Sequence, residues 1–124
     1  MEQVEIEGFE RFTMKGRSFK PRVTIRARGQ IGFNNGSVVK FEIEKYDYIV
    51  LFYSREKNQI AMRLTNDKNE SGAIKLIKKH GNYCFSGKAF LDFYGIGYDK
   101  SKIQDAEGMN DNIILITLKK PLTE

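Results

Sequence analysis

A pattern that occurs twice along the chain constrains the fold more than any other feature: a strand ending in basic residues, a glycine turn and a short return strand. In the first copy, between positions 22 and 28, Val23, Ile25 and Ala27 alternate with arginine and threonine. A two-residue period is typical of a strand buried on one face. Gly29 allows a tight turn and "QIGF" predicts the return strand, so we expect a β-hairpin with a basic outer face.

A short helix and a second hairpin are predicted next. Asn34 or Asn35 can cap one or two helical turns in "NNGSVVKFEI", because an Asn side chain accepts hydrogen bonds from the first helical amides. The nearly continuous β-formers of "YIVLFYS" predict a strand buried on both faces. The segment "IAMRLT" predicts its partner, in which Ile60, Met62 and Leu64 face the same way.

The polar stretch "NDKNESG" divides the chain near its middle, and the segments after it repeat the order of those before it. "IKLIKKHGNYCFS" predicts a strand, a turn at Gly81 and a return strand. "GKAFLDFYG" predicts a short helix with Ala89, Phe90 and Phe93 as its apolar residues and a glycine stop at Gly95. "KIQDAEGMNDNIILITL" predicts a closing hairpin.

The two halves can be laid over each other, with Gly29 on Gly81 and Phe33 on Phe85. Neither half can bury its apolar face alone, so the sequence predicts one pseudo-symmetric α+β domain that is rich in β-strand. Its predicted parts are an N-terminal arm or edge strand (1–20), a first half (21–66), a connecting turn (67–72) and a second half (73–120). Identity between the halves is thin, so chance similarity of two β-rich segments is the alternative.

Positive charge is concentrated in one part of the chain. Of the net charge of +5 over 124 residues, the segment from Arg11 to Phe41 carries eight Lys or Arg and no acid, which leaves −3 for the remainder. A one-signed segment inside a folded chain is a candidate footprint for nucleic acid or another polyanion. A solvated basic face without a partner is the alternative.

Several function classes find little support in the sequence. No run of about 18 apolar residues exists and the N-terminus is acidic, which argues against membrane insertion and secretion and favours the cytoplasm. His80 and Cys84 are too few for a zinc site and have no third orienting group, so no enzyme, metal or cofactor is predicted. The acids from Asp105 to Asp111 are expected at the tip of the closing hairpin, as turn residues.

Two stretches carry a resemblance to a known family. In "TIRARGQIGFNNGSVVKFEI", Arg28–Ile31 stands where the family has a basic residue, glycine, arginine and a hydrophobic residue, and "KHGNYCFSGKAFLDFYGI" matches more loosely. Each half resembles the AbrB-type (swapped-hairpin) transcription regulators, which include the MraZ proteins. The family's proline is Asn34 and Ser86 here, and the arginine after its glycine is Gln30 and Asn82. The resemblance implies a swapped-hairpin barrel whose halves copy a dimer and bind duplex DNA through their basic strands and turns.

The basic strands and turns form the predicted binding site. Arginine and lysine neutralise phosphates, and the planar fork of arginine also pairs with guanine. Gln30 or Asn82, at the tips of the two turns, is predicted to contact a base edge. The predicted nucleic-acid-binding residues are Lys15, Arg17, Lys20, Arg22, Arg26, Arg28, Gln30, Lys78, Lys79 and His80.

The sequence therefore predicts a non-enzymatic nucleic-acid-binding protein, with double-stranded DNA favoured and transcriptional regulation as its purpose. One alternative is a sheet that binds single strands by stacking bases on Tyr46, Tyr48, Phe52 and Tyr53. Another is a protein-interaction or assembly module with an incidental basic face. A homodimer is compatible with each of these functions.

Overall fold

The protein is rich in β-strand, and its described residues form nine antiparallel strands in a nearly closed barrel and two short α-helices. The computed structural model describes residues 4–11, 20–109 and 112–118. The strands are β1 (Arg22–Ile25), β2 (Gln30–Phe33), β3 (Tyr48–Ser54), β4 (Gln59–Thr65), β5 (Ile74–Lys75), β6 (Ile77–Lys79), β7 (Asn82–Ser86), β8 (Lys102–Met109) and β9 (Ile113–Thr117). The helices are α1 (Asn35–Lys40) and α2 (Lys88–Tyr94), and a 3₁₀ turn spans Ile43–Lys45.

One six-residue segment links the two ends of the sheet. The strand order is β5-β3-β4-β9-β8-β1-β2-β7-β6, so the first and last strands are neighbours in the chain. Only Leu76 separates them, and its N–H donates to the carbonyl of Asp47 at 2.9 Å. The segment Ile74–Lys79 therefore pairs with β3 through its first residues and with β7 through its last.

The inward positions of the strands form the core, as the alternating pattern predicts. Val23 and Ile25 on β1 are fully buried, and Ile60, Met62 and Leu64 line the inner side of β4. Phenylalanines from β2 and β7 meet beneath the sheet, with the ring centroids of Phe33 and Phe85 5.9 Å apart. The predicted facing of both hairpins is confirmed at these positions.

The first hairpin turns earlier than the sequence pattern predicts. β1 ends at Ile25, and Ala27 is exposed in the turn instead of facing the core. Arg26 N–H donates to the carbonyl of Gln30 at 2.8 Å, Gly29 N–H donates to the carbonyl of Arg26 at 2.8 Å, and Gly29 has φ +83°. A turn with a left-handed glycine before the return strand takes up three residues, which the alternation alone does not reveal.

Both helices lie where they were predicted, but their buried residues differ in part. The Asn34 side chain accepts from the N–H of Ser37 at 2.9 Å, which confirms it as the cap of α1. Gly95 ends α2 in the left-handed conformation, as expected. Helix α2 packs against the core through Leu91 and Phe90, whereas Phe93, also among its apolar residues, is 78% exposed.

Strand β3 is buried less completely than predicted. Ile49 and Val50 are buried, whereas the Phe52 side chain is 50% exposed on the outer side. A continuous apolar run does not distinguish two buried faces from one buried face and one exposed apolar face. Among the described residues, neither helix is long and apolar enough to cross a bilayer.

Candidate nucleic-acid interface

Four adjacent strands form a surface that contains no carboxylate of its own. Strands β1, β2, β7 and β6 are neighbours in the sheet, and with the turns that join β1 to β2 and β6 to β7 we call their outer side the basic face. Residues 22–33 and 77–86 contain no Asp or Glu. Their five cations are Arg22, Arg26, Arg28, Lys78 and Lys79.

The centre of the basic face is flat because its outward residues are small. Gly32 on β2 lies between Thr24 on β1 and Cys84 on β7. A Cβ atom at position 32 would lie 2.8 Å from both terminal nitrogens of Arg26, so the guanidinium lies directly over the backbone of β2. Arg26 also donates to the amide oxygen of Gln30 at 2.9 Å. The side-chain oxygen of Gln30, a residue predicted to contact a base edge, is thus engaged within the hairpin.

Contacts with α2 fix the turn between β1 and β2. Gly87 N–H donates to the carbonyl of Gly29 at 2.9 Å. A Cβ at Gly29 would lie 2.8 Å from the Cβ and 2.9 Å from the Cα of Lys88, and a Cβ at Gly87 would lie 2.5 Å from Ile31 Cδ1. Two glycines therefore let the turn pack onto the first turn of α2, beside the exposed Arg28.

Lys88 is a basic residue at this turn that sequence reasoning missed. Its Nζ lies 2.8 Å from Asp92 Oδ2, and Tyr98 donates its hydroxyl hydrogen to Asp92 Oδ1 at 2.7 Å. The hydrogen bonds from Lys88 and Tyr98 lower the pKa of Asp92, and the bond to Asp92 raises the pKa of Lys88. The glycine before α2 was visible in the sequence, but nothing local indicated that Lys88 would meet a turn nearly sixty residues earlier.

Two of the predicted cations pair with one acid. Lys20 Nζ lies 3.1 Å and Arg22 Nε 3.5 Å from the carboxylate of Asp105, which stands opposite Arg22 in the β1–β8 register. The hydrogen bond from Lys20, with a smaller contribution from Arg22, lowers the pKa of Asp105. The prediction that Asp105 lies at a hairpin tip is wrong: it is inside β8, because β8 extends to Met109.

The second turn carries the remaining predicted residues. Lys79 and His80 are exposed, and His80 has φ +53° in the turn. Lys78 points elsewhere, with its Nζ 3.3 Å from Asp47 Oδ1 and 3.2 Å from the carbonyl oxygen of Glu44. Because Gln30 pairs with Ser86, the two turns lie at opposite ends of the β2–β7 pair, about 20 Å apart.

The structure thus brings most of the predicted site residues onto one surface. Several of their side chains are bonded to other protein groups: Lys20 and Arg22 to Asp105, and Arg26 to Gln30. Arg28 and Lys79 form no ion pair with any carboxylate of the described residues. Lys15 and Arg17 lie outside the described residues. Electrostatically, the surface can attract an anion at both ends, and between the ends the Arg26 guanidinium lies over small outward residues.

The four aromatic residues of the single-strand alternative do not share a surface. Phe52 faces outward on β3, whereas Tyr53 faces inward opposite Ile60. Tyr46 also packs against the core. A different aromatic cluster exists at the end of α2, where the Tyr94 ring lies 4.8 Å from that of Tyr53 and the Arg55 guanidinium lies 5.5 Å from that of Tyr94.

His80 and Cys84 occupy different environments. His80 is exposed at the turn, whereas Cys84 is buried between Ile77 and Gly32 in the sheet register. Within residues 4–11, 20–109 and 112–118, no three His, Cys, Asp or Glu side chains come together as metal ligands.

Comparisons of this chain with family models, with curated proteins and with solved structures gave no match. The site is therefore interpreted from its own geometry and charge.

Proposed function

We propose that this protein is a non-enzymatic DNA-binding protein that binds duplex DNA through its basic face and regulates transcription in the cytoplasm. The observation that carries the proposal is the absence of Asp and Glu from four adjacent strands and their two turns, which present Arg22, Arg26, Arg28 and Lys79. Each cation that meets a phosphate releases counterions, which gives affinity that depends strongly on salt.

The shape of the basic face favours a duplex. The major groove is about 12 Å wide and admits a two-stranded β-ribbon. Gly32, Thr24 and Cys84 leave the middle of the sheet low, while the turns at Arg28 and at Lys79 lie about 20 Å apart. A duplex laid across this surface meets cations at both ends, with small side chains and the Arg26 guanidinium between them.

The strand order supports the further proposal of two swapped, pseudo-symmetric halves. For this comparison β5 and β6 are taken as one segment. If β1 is then exchanged with β6, β2 with β7, β3 with β8 and β4 with β9, the same strands are neighbours in the sheet as before. In this scheme the first hairpin of each half pairs with the second hairpin of the other: β1 with β8, and β5 with β3. This arrangement is the one that a resemblance to AbrB-type regulators implies.

A fluorescence-anisotropy titration tests the proposed function. Labelled duplex and single-stranded oligonucleotides are titrated between about 50 and 200 mM salt with the wild type and with a variant carrying Arg26→Glu, Arg28→Glu and Lys79→Glu. We expect the variant to lower the salt slope for duplex by about three and the affinity at low salt by about 100-fold or more.

A matched variant controls for net charge. Lys45→Glu, Lys57→Glu and Lys68→Glu change the charge by the same amount at exposed positions outside the four strands and two turns of the basic face. Equal losses in the two variants would contradict a localised site. Tighter binding of the single strand would favour the single-strand alternative, and an absence of binding by the wild type would favour a protein-interaction module.

A further inference from the structure

The outer side of the other four strands carries an exposed apolar surface. Inward residues of β3, β4, β9 and β8 fill the core, and the alternate positions face outward. We call the following five outward residues the outer apolar face: Phe52, Ala61, Met109, Ile113 and Leu115. Phe52 is 50% and Met109 53% exposed, and a shallow groove of about 280 Å³ runs between them.

The described N-terminal segment also has apolar side chains that are not covered. Val4, Ile6 and Phe9 are 77%, 62% and 75% exposed. Gly8 has φ +85° and Phe9 N–H donates to the carbonyl of Ile6 at 3.0 Å, so a turn gathers the three side chains around a small cavity. We call residues 4–9 the N-terminal turn; its glutamates, with Glu10 after it, make the segment acidic.

The chain enters the barrel beside the outer apolar face. Ala106 N–H donates to the carbonyl of Pro21 at 3.0 Å, which continues the β1–β8 register one residue before Arg22. The next residue of β8, Glu107, pairs with Leu115 of the groove. At Pro21 the chain therefore lies beside β8, the strand that carries Met109.

The length of chain between the two elements is sufficient. Eight residues, 12–19, separate Arg11 from Lys20. Eight extended residues span up to about 28 Å, whereas neighbouring strands are about 4.8 Å apart. The N-terminal turn can therefore reach every part of the outer apolar face of its own chain.

The size and charge of the outer apolar face favour a short segment over a second barrel. Four strands and two outward rows give a footprint of about 260 Å², which is well below the roughly 800 Å² that each partner buries in a standard protein interface. Lys57 lines the groove, where it can pair with a glutamate of the N-terminal turn, and Glu107 lies on the far side of Leu115. Leu115 and Met109 offer apolar contacts to Ile6 and Phe9.

We propose that the N-terminal turn, residues 4–9, docks on the outer apolar face of the same chain, with Ile6 and Phe9 in the groove between Phe52 and Leu115. This contact buries apolar groups on both sides and leaves the basic face uncovered. It is independent of what the basic face binds.

Site-specific photo-crosslinking of the full chain tests the docking. A benzophenone amino acid replaces Phe9, and after irradiation the crosslinked peptides are identified by mass spectrometry. A second protein with the same probe at Phe93, which is equally exposed but lies on α2, is the matched control. We expect crosslinks from position 9 to residues 52–61 or 109–115 within one chain, and none to these residues from position 93.

Two substitutions in the groove provide an independent readout. Ala61→Glu, and separately Met109→Glu, place a charge under the docked turn and are expected to reduce the crosslink at least fivefold. Thr24→Glu, at an outward position of β1, should leave it unchanged, and the melting temperature of each variant checks that the barrel is folded. Crosslinks to the basic face, crosslinks between two chains, or a yield insensitive to both groove substitutions would overturn the proposal.

Discussion

Replacing Gly29 with alanine is expected to destabilise the barrel much more than the same change at Gly81. Both glycines have positive φ, +83° and +78°, so alanine is strained at either position by about 1–2 kcal/mol. At Gly81 a Cβ atom has nothing within 4 Å, whereas at Gly29 it lies 2.9 Å from the backbone Cα of Lys88. Backbone cannot move aside as a flexible side chain can, so overpacking adds about 1–3 kcal/mol at Gly29 alone.

The comparison is made by urea and thermal unfolding followed by circular dichroism. We expect Gly29→Ala to lower the free energy of unfolding by about 2–5 kcal/mol and Gly81→Ala by about 1–2 kcal/mol. For a domain of this size, 1 kcal/mol corresponds to roughly 4 °C in Tm, so the two variants should melt roughly 4–12 °C apart. Equal stabilities would refute the inference that the first turn is fixed by its packing on α2.

Three further predictions concern single side chains. Asp105→Asn removes the carboxylate that two cations of the site contact, so duplex affinity at low salt should rise about two- to fivefold in the anisotropy assay. Weaker duplex binding would contradict this prediction. The free energy of unfolding should change little, because both ion pairs are exposed. Asn34→Ala removes the cap of α1, the bond to the carbonyl of Lys20 and the bond from the N–H of Arg22, so it should cost about 2–3 kcal/mol in urea unfolding. A loss below about 0.5 kcal/mol would contradict this prediction. Because the pKa of Asp92 is lowered in the folded state, its contribution to stability is present above the unfolded pKa of about 3.9 and is lost as the pH falls through the folded value. Asp92→Asn should therefore reduce stability at pH 7 and converge with the wild type in acid, whereas a pH-independent difference would argue against the charge as the cause.

The local pattern of the sequence predicted which elements form and which side faces the core. Alternation over "IAMRLT" gave the buried side of β4, and Asn34 and Gly95 were correctly identified as helix ends. These features depend on residues within a few positions of each other. The end of β1 was misplaced because Arg26 continues the alternation although its backbone already belongs to the turn.

The contacts that shape the candidate site could not be predicted, because they join distant parts of the chain. Asp105 meets Arg22 only through the pairing of β1 with β8, and Lys88 meets Gly29 only through the pairing of β2 with β7. Strand register is set by the whole barrel, not by local composition. The apolar run in β3 was misjudged for the same reason, since whether Phe52 is covered depends on what lies outside the sheet.

The segment Ile74–Lys79 protects two sheet edges at once. Strands at sheet edges offer hydrogen-bonding groups to other chains and are sites of aggregation. Here six residues cover an edge of β3 and an edge of β7, so their detachment would expose both edges together and turn a nearly closed barrel into an open sheet. Lys75, Lys78 and Lys79 lie in this segment, and charged residues of this kind discourage edge-to-edge pairing. The resistance of the protein to self-association therefore depends on how rarely this one short segment opens.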